Sequence, residues 1–149
     1  MKKRLLQLAM VLSCTFFMAA GVAAHCEIPC GIYDDEARID MLLEHVATIE
    51  KSMNQITAIE KDKTHNPNQL IRWVMNKEKH ADDLQEIVTQ YFMTQRLKFD
   101  TKEYDKKLAL LHQMLVYAMK CKQTTDLAHT AKLTGVILEF RQLYFAKKV

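Results

Sequence analysis

The sequence predicts an all-α protein: an up-down-up-down four-helix bundle with an N-terminal ligand-rich hook, preceded by a cleavable signal peptide. Three observations carry that expectation. Apolar residues recur at steps of three and four through most of the chain, the pattern of one helix face buried in a core. The 149 residues include only 3 Gly and 2 Pro, too few for a turn-rich β-sandwich, a collagen or a disordered linker. The connectors between apolar stripes are short, which favours antiparallel neighbours around one shared core. This length suits one ordinary domain. The expected boundaries are 1–24 for the signal, 25–35 for the hook and 36–149 for the bundle.

The first segment reads as an address. Lys2, Lys3 and Arg4 give a positive start, Leu5 to about Ala20 an apolar run, and Val22-Ala23-Ala24 a small-residue end with the spacing of a signal-peptidase site. The rival reading, a single-pass anchor, suits it less well, because the run is short and no basic cluster follows it. Cys14 lies inside the apolar run and Cys26 follows a histidine, so neither suits lipid attachment. The expectation is export to the periplasm or beyond, with cleavage after Ala24 and no membrane attachment of the mature form. Loss of the three basic residues at the start takes the 21 Lys and Arg to 18, equal to the 18 Asp and Glu. A formally neutral domain is poorly suited to hold nucleic acid through its phosphates.

Four stripes follow. Ile39, Leu42, Val46, Ile49, Met53 and Ile56 predict a helix from about Glu36 to Lys61. The run Thr64-His65-Asn66-Pro67-Asn68 ends it, since proline cannot continue the backbone ladder. A second stripe is Leu70, Val74, Ala81, Leu84, Val88 and Tyr91, interrupted at Lys77. Asp100 and Glu103 suggest a capping box before a third stripe of Tyr104, Leu108, Leu111, Leu115 and Ala118. Thr124 or Thr125 is the expected cap of a fourth helix carrying Leu127, Ala131, Thr134, Leu138 and Phe145. Met53, Trp73, Phe92 and Met114 read as packing residues, Lys77-Glu78-Lys79 as a solvated face, and Cys121 as a small buried apolar residue.

The chemistry is concentrated before the first helix, in His25-Cys26-Glu27-Ile28-Pro29-Cys30-Gly31-Ile32-Tyr33-Asp34. Cleavage after Ala24 would free the His25 amine, with a pKa near ~8, beside its own imidazole. Pro29 fixes φ and Gly31 permits positive φ, so the chain can hook back and bring Cys30 towards Cys26. Thiolates with nitrogen donors select softer and borderline transition metals over Mg²⁺ and Ca²⁺, and a planar S/N set favours Ni(II) or Cu(II) over tetrahedral Zn(II). The same spacing suits a Cys26–Cys30 disulfide in an oxidising compartment, and on the residues alone both readings stand. No Glu-x-x-His pair supports a di-iron bundle, and no Cys-x-x-Cys-His supports a c-type haem. His45, His65, His112 and His129 show no ligand spacing to one another and read as surface or satisfied core residues.

The motif His25-Cys26-x-x-Pro29-Cys30-Gly31-x-Tyr33-Asp34 resembles the nickel hook of nickel-dependent superoxide dismutases, H-C-x-x-P-C-G-x-Y at the mature N-terminus ahead of a four-helix bundle. Two further segments are similar to that family: Ala37-Arg38-Ile39-Asp40 to A-R-I/V-E, with Asp40 for Glu, and Lys77-Glu78-Lys79-His80-Ala81 to K-E-x-R/H-A. Glu27 also stands where Asp is commoner. The resemblance implies dismutation of superoxide to O₂ and H₂O₂ at one Ni(II)/Ni(III) ion per subunit in a homohexamer. It implies that His25 (amine and imidazole), Cys26 (thiolate and backbone nitrogen) and Cys30 (thiolate) are the ligands. Tyr33 would stand over the open face, and Asp40 with His80 would orient the His25 ring. Tyr117, Tyr144 and Phe145 are candidates for subunit contacts. The alternative is an exported, non-enzymatic bundle that binds Ni or Cu through the same donors.

Overall fold

The computed structural model describes residues 31–63 and 66–146, together with Lys3, Arg4, Gln7 and Met10. The chain divides after Tyr33 into two units. In the first, Lys3, Arg4, Gln7 and Met10 are helical and exposed, and residues 31–33 are exposed and irregular. The second contains α1 (Asp35–Lys61), α2 (Pro67–Glu86) running on without a break into a π-helical segment (Ile87–Arg96), α3 (Tyr104–Gln123) and α4 (Ala128–Phe145). Each helix packs on its neighbours in sequence, and α1 closes the ring against α4. This is the predicted all-α four-helix bundle. No helix among the described residues is long and apolar enough to cross a membrane.

The first helix follows its sequence pattern closely. Ile39, Leu42, Val46, Ile49, Met53 and Ile56 are all buried. Asp34 caps α1 by accepting from the Ala37 amide at 3.0 Å. Pro67 does more than end α1, for it occupies the first turn of α2, where its missing N–H costs nothing, and Asn66 caps that helix by accepting from Gln69 N at 3.2 Å. Met53, Phe92, Met114 and Cys121 are buried as expected, and Trp73 is half-buried with Lys51 Nζ 6.0 Å from its ring centroid.

Lys77 departs from expectation. Instead of joining a solvated face, it is 4% exposed, at the core position where the α2 stripe is interrupted. Its ammonium donates to the Cys121 carbonyl at 2.8 Å, to the Lys122 carbonyl and to Glu78 Oε1 at 3.0 Å. The last carbonyls of a helix lack partners within it and carry the negative end of its dipole. An ammonium from α2 therefore finishes α3. Cys121 is fully buried in this corner, and burial pushes its thiol up to about 11 against the opposing pull of Lys77.

Two helix starts also differ. The Asp100–Glu103 capping box does not form: Glu103 adopts a left-handed conformation (φ 56°), and α3 begins only at Tyr104. The preceding residues are committed to a turn, in which Thr101 N bonds Lys98 O at 2.9 Å and Lys98 N bonds Thr101 Oγ1 at 3.0 Å. Likewise Thr124 ends α3, and its hydroxyl accepts from Asp126 N at 3.2 Å. Asp126 in turn accepts from Ala128 N at 2.9 Å, where α4 starts. The buried face of α4 is Thr130, Leu133, Val136, Ile137 and Phe140, leaving Leu127 39%, Leu138 41% and Phe145 41% exposed. That helix is apolar on most sides, so periodicity alone admits more than one stripe and packing decides between them.

Over Ile87–Arg96 the helix widens to bonds five residues apart, ending with Leu97 N to Phe92 O at 2.8 Å. Two side chains bond at the same offset, Thr94 Oγ1 to Thr89 O at 2.7 Å and Gln95 Nε2 to Gln90 O at 2.9 Å. Val88, Tyr91, Phe92 and Gln95 are the buried residues of this segment. Phe92 meets Phe140, Tyr91 and Tyr144 edge-on, with ring centroids 5.2, 5.0 and 5.8 Å away.

Replacing Lys77 by Met keeps most of its volume while removing the donors to the end of α3. Stability is expected to fall by about 2 kcal/mol, the cost of leaving buried acceptors unpartnered, read as a lower denaturant midpoint. An unchanged midpoint would show that the α3 carbonyls do not need the ammonium.

Candidate metal centre

Of the predicted ligands, His25, Cys26 and Cys30 lie outside the described residues. The described part of the motif starts at Gly31, whose φ of +76° is the left-handed conformation that a Cβ would strain. Tyr33 follows, 40% exposed. The motif's last residue, Asp34, is the cap of α1.

Asp35, the next residue, was not singled out by sequence reasoning, yet its carboxylate accepts four hydrogen bonds. Its Oδ1 accepts from Tyr91 Oη at 2.6 Å and Arg96 Nε at 2.8 Å. Its Oδ2 accepts from Arg96 Nη2 at 2.7 Å and Tyr144 Oη at 2.8 Å. The side chain is only 15% exposed. Burial by itself would push this carboxyl up, but the hydrogen bonds from Arg96, Tyr91 and Tyr144 outweigh it and hold the group below the ordinary value of 3.8. The partners shift reciprocally. Arg96 is raised, chiefly by its bond to Asp35, and Tyr91 is raised by burial and the same carboxylate. Burial, with Asp35 next, pushes Tyr144 up to about 12. Tyr144 is thus engaged within its own chain, and Tyr117 packs against the core, which leaves Phe145 the most exposed of the three residues expected at subunit contacts.

The two residues expected to orient the His25 ring sit in separate networks. Asp40, on the outer side of α1, is paired with Arg141 Nη1 of α4 at 3.4 Å, and Arg141 also binds Glu36. His80, on α2, faces α1, where its Nδ1 lies 2.8 Å from Nδ1 of His45. The two imidazoles are tilted by 54° with centroids 5.0 Å apart. Burial, followed by the neighbouring His80, holds His45 below the ordinary histidine value. His45 was read as a bland residue because its partner is 35 positions away. The available signal was register: His45 directly precedes core Val46, and His80 directly precedes core Ala81, so both flank the α1–α2 seam.

The described residues form an all-α four-helix bundle, and in the sequence its first helix follows a segment with two cysteines and a histidine. A family model for nickel-containing superoxide dismutases matches residues 20–148, and the chain belongs to that family. It is an oxidoreductase acting on superoxide, with nickel as its cofactor. No curated protein and no solved structure matches the chain.

Asp35→Asn tests the carboxylate at the start of α1. A group whose folded pKa is depressed contributes stability above its unfolded value and loses it as pH falls through the folded one. At neutral pH the variant is expected to be less stable by about 2 kcal/mol, a typical value for charge-assisted bonds. The gap between variant and parent should narrow as pH drops below about 3.8. Denaturant midpoints at neutral and acid pH check both statements, and a gap independent of pH would contradict the ionised Asp35.

Proposed function

We propose that the enzyme is exported, cut after Ala24, and holds one nickel ion per subunit through the His25 amine and imidazole, the Cys26 thiolate and backbone nitrogen, and the Cys30 thiolate. The observation that carries this reading is the motif His25-Cys26-x-x-Pro29-Cys30-Gly31-x-Tyr33 at an expected cleavage point, inside the segment the family model matches. The donor set suits the metal, because thiolates with nitrogen ligands favour a borderline ion and planar coordination. When bound, nickel supplies a one-electron Ni(II)/Ni(III) couple, through which two superoxide ions and two protons become O₂ and H₂O₂.

The chain's own residues do the rest. Thiolates and an anionic amide nitrogen are strong donors that favour the higher oxidation state, which gives Cys26 and Cys30 an electronic role beyond binding. Gly31, with its left-handed backbone, lets the segment turn between Cys30 and Tyr33. The Tyr33 hydroxyl holds and screens the small anion, and with the His25 amine and water it is a source of protons. Asp40 and His80 act as positioning residues for the His25 ring. His80 turns its Nδ1 to His45, so its Nε2 is the edge available for that role. The assembly proposed on the resemblance is a homohexamer, and the exposed Leu127, Leu138 and Phe145 of α4 are apolar surface that such an assembly could cover.

An extra residue placed ahead of His25 converts its amine to an amide without touching any side chain. Superoxide consumption is expected to fall by at least about 100-fold, with the helical fold intact, while intact-mass analysis of the parent protein shows a chain beginning at His25. Full activity in the extended variant would overturn the amine as a ligand. Intact mass two hydrogens light and free of nickel would favour the Cys26–Cys30 disulfide instead.

A further inference from the structure

We propose that His45, His80 and Asp83 form a second metal site, on the α1–α2 seam, for a borderline divalent cation of the Zn(II), Cu(II) or Ni(II) class. His80 and Asp83 are three residues apart on α2 and so share a face, and His45 meets them from α1. The three candidate donor atoms all lie within 4.8 Å of one another, and all three residues are half-buried. Ligands held about 2.1 Å from a tetrahedral ion stand roughly 3.4 Å apart, so the unliganded set is within a small side-chain adjustment of enclosing one. Donors projecting from facing helices are the usual construction of metal sites in bundles.

The contact between the histidines supports this directly. With Nδ1 atoms 2.8 Å apart, one ring must carry its proton on Nδ1 and the other must accept it. The two ring nitrogens therefore already face one another across a single proton, one as donor and the other as acceptor. A cation taking that position requires the protonated ring to move its proton from Nδ1 to Nε2, a tautomer change that releases no net proton. Neutral imidazole is the ligating form, and the environment of His45 disfavours its cation.

The donor set defines the class of ion. Two imidazoles and one carboxylate, with a fourth position left to water, suit Zn(II), Cu(II) or Ni(II); Ca²⁺ and Mg²⁺ require oxygen cages. No sulfur takes part, so this site differs in kind from the proposed hook and shares none of its ligands. Asp83 is at present paired with Lys79 Nζ at 2.7 and 2.8 Å, but Lys79 is 71% exposed and such a surface pair is readily exchanged for a stronger cation.

The test uses the nickel-loaded enzyme dialysed against Zn(II), with nickel and zinc counted per chain. One zinc is expected beyond the nickel, and His45→Ala and Asp83→Asn should each weaken zinc binding by at least about tenfold while leaving the nickel content unchanged. Asp83→Asn replaces a partly exposed carboxylate by its isostere, so it keeps the test decisive if His45→Ala folds poorly. With Co(II) in place of Zn(II), proton NMR should show two exchangeable, strongly shifted signals from the Nε2–H groups of His45 and His80. Absence of zinc beyond the nickel, or zinc binding indifferent to Asp83→Asn, would overturn the proposal. Loss of nickel in the parent protein would count against the hook and not against this site.

Discussion

The end of the bundle at which α1 begins is organised by one carboxylate. Asp35 receives four hydrogen bonds from Tyr91, Arg96 and Tyr144, side chains carried by the π-helical segment and by α4. A partly buried charge is tolerable only when it is satisfied this fully, and removing any donor would leave the others around an under-coordinated anion. The dependence runs outward from there. The π-helical winding sets the direction in which the last turns of this helix present Tyr91 and Arg96, and the aromatic cluster of Phe92, Phe140 and Tyr144 packs beside them. Arg38 and Lys107 place cations 5.2 Å from the Tyr91 ring centroid and 5.7 Å from that of Tyr144. All four helices thus contribute to anchoring the residue that comes two positions after Tyr33.

The legible parts of the molecule were those governed by local rules. The α1 stripe could be read directly because its apolar residues occupy one face and its polar residues the rest, so period and burial agree. The family could be read because the motif that carries the resemblance is nearly continuous in sequence. Two helix starts failed on local turns, at Lys98–Glu103 and Thr124–Ala128, and the other failures were tertiary. On α4 apolar residues surround the helix, and only the positions of α1 and α3 determine that Leu133 and Ile137 turn inward while Leu138 does not. Lys77 looked like a break in a core stripe, but the core position was real, and the distant end of α3 made a lysine acceptable there. Asp35 and His45 could not be paired by local rules, since their partners are 56 and 35 positions away at the nearest.

His80 shows how a family segment can be recognised while its local partnership escapes notice. The K-E-x-R/H-A pattern marks the position, and Lys77 and His80, at its first and fourth places, prove to face quite different surroundings. Lys77 reaches sideways to complete α3, while His80 meets α1. The spacing of three puts both on one side of α2. A short sequence pattern on this helix therefore records two tertiary constraints, one on where α3 ends and one on what lies opposite α2.

The corner that Lys77 completes has a bearing on the enzyme's own product. Peroxide attacks thiolates and hardly touches thiols, and Cys121 is sealed in the interior with its ionisation pushed up to about 11. At neutral pH its sulfur stays protonated and out of reach, so Cys121 offers peroxide no thiolate to oxidise. The same burial keeps Cys121 from exchanging with Cys26 or Cys30, which protects the pairing choices of those two from a third competitor.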